Sequence, residues 1–416
     1  MSDLFWPGDE RAGALGGQAA LLAAMAAVEH AWLAALVHTG VAPASARASV
    51  AGLVSAADLA ELAAGAEASG SPVLGLVGLL RSRLSAEPAR WLHRGLTSQD
   101  VLDTAVVLVV VDALEEVLRQ LADQIGSLTA LVTAHRGTAM VGRTLTQHAV
   151  PLTFGLKAAV WLTGVLDAAD AVRAVRARAA AQLGGAAGTL AASTELAAAR
   201  RAGDPAAVSW RLVEQTSAAL GLAARLPWHT NRSWVTAAGD ALVTCTDAWG
   251  HLAADVATLS RPEIAELAEG PSSGAPRGGS STMPGKQNPV LAVLVRRAAL
   301  AAPSLAATLH LAAATTVDER PDGAWHAEWA PLRDLARRTV VAGSQTAELL
   351  AGLRVDADRM RATLATAGGR REQQSMAELA GSPPQPDYLG VSERVVDAVL
   401  ARARTVVPAA ARAGTT

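Results

Sequence analysis

Five stretches of this 416-residue chain hold a helical period over about two dozen residues or more, and strand signals are nearly absent around them. They run from about Thr104 to His135, Pro151 to Gln182, Trp234 to Leu259, Pro289 to Val317 and Trp329 to Gly352. Apolar residues recur at three- and four-residue spacing, as in Leu114, Val117, Leu118, Leu121, Ile125 and Leu128, while Glu115, Glu116, Arg119 and Asp123 mark a polar stripe. Helices this long exceed the ordinary globular length and point to a bundle with coiled-coil-like packing. Aromatic content is only 3% and ten of those residues are Trp, so the core must be built largely from Ala, Leu and Val. Ala-rich faces let such helices approach closely. The expected fold is all-α: a small N-terminal helical domain (1–100), a central long-helix bundle (101–353) and a small C-terminal helical domain (354–416). No internal repeat is visible.

The net charge of −2 gives no reason to expect nucleic acid or an anionic membrane as partner. A single cysteine, Cys245, rules out an intrachain disulfide and speaks against a Cys-based metal site. Met1 to Arg11 is acidic and lacks an apolar signal core. The apolar run Ala105–Val111 breaks at Asp112, too short to span a bilayer. A soluble cytoplasmic protein is expected.

Residues 278–289 read Gly-Gly-Ser-Ser-Thr-Met-Pro-Gly-Lys-Gln-Asn-Pro. The segment leaves a Gly/Ser/Pro-rich loop, Gly270 to Gly279, and ends just before a long apolar run. It sets a hydroxyl (Ser280), a cation (Lys286) and an amide (Asn288) beside several free backbone N–H groups. Glycines let backbone approach a ligand, and successive free amides make an anion-binding concavity. Such a site can hold a carboxylate and stabilise the dianion formed when a proton leaves the adjacent carbon. Lys286 is one of only two lysines, the other being Lys157, and lysine offers a compact point charge suited to an oxyanion. Read without the full string, the segment is more simply a surface connection with an ordinary lysine.

Four other segments carry chemistry-bearing residues. Thr97 and Ser98 precede a helix, where hydroxyl and amide donors either cap the helix or bind an anion. His148 lies just before Pro151 at the expected entry to a long helix, placed for proton transfer near neutral pH or merely packed. His229 and Arg232 sit in Pro-Trp-His-Thr-Asn-Arg, an apparent loop, where the arginine can take a substrate carboxylate bidentately or be an ordinary loop residue. Residues 318–329, Asp-Glu-Arg-Pro-Asp-Gly-Ala-Trp-His-Ala-Glu-Trp, read as a turn between two helices, richer in Trp325, His326, Glu328 and Trp329 than a turn needs.

The string at 278–289 resembles the Gly-Ser-Ser-x-Met-Pro-x-Lys-x-Asn-Pro motif of the fumarase/aspartase superfamily. The other segments match the same superfamily in order, across roughly residues 20 to 355. Thr97–Asp100, Gly142–Lys157, Gln182–Leu190, Pro227–Thr230 and Gly323–Trp329 are similar to its bacterial 3-carboxy-cis,cis-muconate cycloisomerase branch. The resemblance implies a mostly helical homotetramer with a twenty-helix core and active sites drawn from three subunits, with no metal or organic cofactor. It implies Ser280 as base or acid, Lys286 and Asn288 holding the carboxylate that becomes the dianion, and His148 orienting or protonating the leaving oxygen. The substrate contacts it implies are Thr97, Ser98, Gln147, His229, Arg232, Ser281, Met283, Asn288 and Arg320, around a small polycarboxylate. The activity it implies is interconversion of carboxymuconate and its lactone. The alternative is a lyase that releases fumarate from a substituted succinate. Departures from the branch are Gly285 and Gln287 in place of a His and an Arg, Ser233 for Asp, His251 for Lys, the altered segment Gly368–Glu378, and Val293 where the lyases carry a Glu.

Overall fold

A computed structural model describes residues 3–201, 203–270, 277–367 and 371–406. Four helices come first: α1 (Gln18–His38), α2 (Leu59–Ser69), α3 (Val73–Arg83) and α4 (Ala86–Trp91). Then come α5 (Ser98–Ala134), the strands β1 (Ala139–Thr144) and β2 (Gln147–Thr153), α6 (Phe154–Ala177), α7 (Ala191–Ala199), α8 (Pro205–Ala219) and α9 (Ser233–Leu259). A short strand β3 (Leu267–Ala268) leads to α10 (Val290–Ala314) and α11 (Gly323–Ala351). Strand β4 (Arg354–Val355), α12 (Ala357–Thr366), α13 (Arg371–Ala380) and α14 (Ser392–Val406) complete the described residues.

The fold is all-α in character, and five helices of 24 to 37 residues make its frame. Each packs on the next in a closed ring, α5 on α6, α6 on α9, α9 on α10, α10 on α11, and α11 back on α5. Small residues allow the close crossings. At Gly250 of α9 a Cβ would lie 2.5 Å from the Ala299 side chain of α10, a distance no side chain tolerates. Trp32, Trp161 and Trp249 are fully buried among Leu, Val and Ala. The Trp249 indole donates to Gln124 Oε1 (2.7 Å), and Gln124 Nε2 donates to the Gly343 carbonyl (2.9 Å), tying α9 to α5 and α11 inside the ring.

Four boundaries differ from expectation, the first being α5, which begins at Ser98 and not at about Thr104. The helix expected from Pro151 begins at Phe154, because residues 139–153 pair as an antiparallel hairpin and the Thr153 hydroxyl accepts the Leu156 amide (3.0 Å) as N-cap. It ends at Ala177, after which Ala179 and Ala181 pair their backbone with Ala223. The last long helix begins at Gly323, so Trp325 to Trp329 lie on a helix and not in a turn. Two prolines, Pro303 and Pro331, are accommodated inside helices.

By length and composition α1 and α10 would both suffice to cross a membrane, which the run at 105–111 would not. More than half of α1 is buried in the protein core, and α10 packs its inner face on α9 and α11.

Candidate active site

The Ser280 loop is a closed excursion. The Asn288 amide donates to the Gly278 carbonyl from both its backbone N (2.8 Å) and its side-chain Nδ2 (2.9 Å). Gly278 has φ 83°, and a Cβ there would fall 2.5 Å from the Asn288 carbonyl oxygen, so only glycine closes this neck. Asn288 is therefore a strut of the loop, whatever else it touches. Within the loop, Ser280 Oγ accepts the backbone amides of Met283 (3.0 Å) and Thr282 (3.3 Å). Two N–H dipoles aimed at one hydroxyl oxygen stabilise its alkoxide. Ser281, Met283 and Lys286 are exposed around it. Below the neck, the Glu269 carboxylate accepts the amides of Leu291 (3.2 Å) and Ala292 (2.8 Å) in the first turn of α10. Burial holds Glu269 above the usual carboxylate range, opposed by those two hydrogen bonds. Residues 271–276 of the Gly/Ser/Pro-rich loop lie outside the described residues.

Gln147 and His148 are exposed on β2, directly after the hairpin turn, with His148 opposite Arg143. The hairpin is anchored at Arg143, whose guanidinium grips Glu266 at 2.7 and 2.9 Å. That carboxylate has no solvent exposure.

Thr97 and Ser98 open α5 and are partly exposed. Asp100 accepts the Thr97 amide (2.9 Å), as a capping residue should. It also accepts the amides of Gly184 and Gly185 (both 2.9 Å) and Gln182 Nε2 (3.1 Å), so the segment 182–190 is bound to the start of α5. Arg320 Nη1 donates to Thr97 Oγ1 (3.2 Å), and its guanidinium lies over the Trp325 ring. Thr97 and Arg320 are thus brought together.

Two expected substrate contacts are corrected here. Arg232 is buried and surrounded by carboxylates. It forks onto Asp103 at 2.7 and 3.1 Å and pairs with Glu328 on its other edge. Burial alone would lower its pKa, but the two carboxylates outweigh burial and hold it above its ordinary value. With every edge engaged, it has no donor to offer a substrate carboxylate. Burial pushes Glu328 up to about 7 in spite of Arg232, since two carboxylates share one guanidinium. His229 is equally interior: its Nε2 lies 3.0 Å from Gln182 Nε2 and 3.4 Å from Asp100, and its carbonyl accepts Gln99 Nε2 (2.9 Å). Trp325 Nε1 donates to Asp103 (2.8 Å), so the aromatic segment serves this same network.

Asp100, Asp103, Glu266 and Glu269 are the residues that sequence reasoning missed. Asp100 carried a signal, the Thr-x-x-Asp pattern of a capping box. The two glutamates precede the Ser280 loop with no local signature.

The expected site residues form two groups. Ser280, Lys286, Gln147 and His148 lie at the hairpin end of the bundle, where α5 and α11 finish and α6 and α10 begin. Thr97, Ser98 and Arg320 lie at the other end, where α5 and α11 begin. The 37 residues of α5 separate the ends by about 55 Å. A loop pinned at Gly278 and Asn288 reaches at most about five residues outward, roughly 17 Å. One chain does not bring the two groups together.

A family model described as Lyase matches residues 22–302. The chain is 46% identical over 361 residues to nitrosuccinate lyase of Streptomyces davaonensis, covering 85% of this chain and 74% of that protein. It is 41% identical over 333 residues to 3-carboxy-cis,cis-muconate cycloisomerase of Bradyrhizobium diazoefficiens, covering 78% and 70%. The structure of 3-carboxy-cis,cis-muconate lactonizing enzyme from Pseudomonas putida superposes with a TM-score of 0.79 at 28% identity, over 92% of this chain and 94% of that one.

Proposed function

We propose, from the premise that this chain belongs to the fumarase/aspartase superfamily of lyases, that it eliminates a small leaving group from a substituted succinate and releases fumarate. Nitrosuccinate is the substrate we assign first. The observation that carries this reading is how the cations of the site segments are engaged. Arg143 is bound to Glu266, Lys157 to Asp255, and Arg232 to Asp103 and Glu328. Arg94 is exposed too, but its guanidinium is turned to α4, where Nε donates to the Arg90 carbonyl. Lys286 and Arg320 remain exposed, the first in the Ser280 loop and the second beside Thr97. Two cations suit a dicarboxylate. A tricarboxylate such as carboxymuconate would need a third partner, and Arg232, Gly285 and Gln287 do not supply it.

In the proposed step, Ser280, as alkoxide, takes a proton from the substrate carbon next to one carboxylate. The electron pair passes into that carboxylate, giving a dianion held by Lys286 and the loop amides. The pair then returns to form the C=C bond of fumarate as the C–N bond at the neighbouring carbon breaks, and nitrite leaves with the bonding electrons. Arg320 and Thr97, with the amides at the start of α5, hold the second carboxylate. His148 orients the departing group. No step in this sequence calls for a metal or an organic cofactor.

The reading includes a homo-oligomer, proposed as a tetramer, in which the hairpin end of one copy meets the opposite end of another. The 55 Å separation within one chain (~1.5 Å per residue along α5) supports it. So does the outer stripe of α10, where Val293, Leu300 and Leu311 are exposed by 54%, 82% and 67%. Cycloisomerisation of carboxymuconate is the second reading, favoured by the 41% identical relative. Purified protein offered nitrosuccinate and carboxymuconate in parallel separates them. Appearance of fumarate and nitrite in equal amounts is expected. Loss of the muconate absorbance, with no fumarate from nitrosuccinate, would establish the second reading instead.

A further inference from the structure

The two central residues of the hairpin turn, Leu145 and Thr146, both hold left-handed backbone, with φ 48° and 71°. Thr144 and Gln147 pair directly on either side, so this is a two-residue turn. Such a turn favours Asn-Gly or Asp-Gly, because residues bearing a full side chain are strained there. Leu145 is also 96% exposed. Two unfavourable features therefore meet at one residue, while the strand just before it is held by the Arg143–Glu266 pair. Strain that persists in an otherwise well-held frame marks a functional position.

We infer that Leu145 is a substrate-contacting residue: carried with Gln147 and His148 into the active site of a neighbouring copy, it forms an apolar wall against the leaving group and selects which leaving groups are accepted. The inference rests on the shared-site elimination proposed above. Charge decides which part of the substrate it faces. A leucine pressed on a carboxylate would strip its water and return nothing, and the two carboxylates already have Lys286 and Arg320. What remains is the substituent on the carbon where the bond breaks. A nitro group is neutral while attached and tolerates an apolar neighbour. The ammonium group of aspartate, on the same carbon skeleton, is charged and loses its hydration there without compensation. Leu145 thus favours the nitro over the ammonium substrate.

The test replaces the turn with the one its geometry prefers. The double variant Leu145→Asn, Thr146→Gly keeps left-handed backbone and relieves its strain, so Tm is expected to hold or rise and the oligomer mass to stay unchanged. Its kcat/KM for nitrosuccinate is expected to fall at least about 10-fold, the low end for removing methylene contacts from an apolar pocket. Its preference for nitrosuccinate over aspartate should narrow as well. A folded variant with kcat/KM within about two-fold of the parent overturns the inference alone. So does a lower Tm or a dissociated oligomer, either of which makes Leu145 a packing contact between copies. A parent protein that releases no fumarate from nitrosuccinate overturns the elimination reading, and this inference with it.

Discussion

Arg143, which pairs with His148 across the hairpin, forms a two-pronged ion pair with Glu266, and the carboxylate side of that pair is fully buried. The pair joins β1 to the segment after α9, where the Glu266 carbonyl also accepts the Asp356 amide (3.0 Å). Replacing Arg143 with Met would leave a buried charge without a partner. Losing one member of such a pair costs about 3–5 kcal/mol. Denaturant unfolding of Arg143→Met should show a loss of that order, and Glu266→Gln a smaller one. Equal and negligible losses would mean that the pair is not buried in solution.

Ser280→Ala is expected to remove turnover without harming the fold. The hydroxyl accepts only two amides of its own exposed loop, so little packing is lost. Removing the proton-transfer group should lower kcat at least about 10²-fold, with an unchanged unfolding midpoint. A folded Ser280→Ala enzyme that turns over at the parental rate excludes Ser280 from proton transfer.

Subunit mixing tests whether sites are shared. Ser280 and Arg320 lie at opposite ends of one chain, so oligomers of Ser280→Ala and of Arg320→Met should each be impaired, and exchange between them should restore part of the activity. Native mass spectrometry can confirm the exchange. Confirmed exchange without recovery would show that each copy builds its sites alone.

Glu328 should make stability depend on pH. Its folded pKa, about 7, lies above the ordinary 4.5, so the folded protein holds this proton more tightly than the unfolded chain does. The contribution is fully present below the ordinary value and is lost as pH rises through the folded one. Its size is on the order of a few kcal/mol at most. Glu328→Gln, which still accepts from Arg232, should flatten the fall in stability between about pH 5 and pH 8. A slope identical to that of the parent would place the titration elsewhere.

Helical periodicity carried the frame well, because the long helices bury one apolar stripe each and their sequences must say so. The hairpin at 139–153 was not legible. Its strands are short, His148 and Gln147 are exposed, and Pro151 suggested the start of a helix. The Ser280 loop is closed by residues local in sequence, Gly278 and Asn288, so its neck needs no distant partner. Arg232 could not be read correctly, because its fate depends on Asp103 and Glu328, each about a hundred residues away in the chain. A loop arginine and a buried one look alike until the partners fold around them. Thr97 and Arg320 stand together among the substrate contacts that the resemblance implies, and the meeting of the starts of α5 and α11 makes them neighbours.

The first turn of α10 already holds an anion of the protein's own. Glu269 occupies the amides of Leu291 and Ala292, the seat that phosphate or sulfate commonly takes at the start of a helix. Among the described residues, those two amides are therefore already taken and are not open to a simple inorganic anion. On the proposed elimination, an inhibitor would draw its contacts from Lys286 and the loop amides rather than from this helix start, which favours a planar mimic of the dianion over a tetrahedral oxyanion.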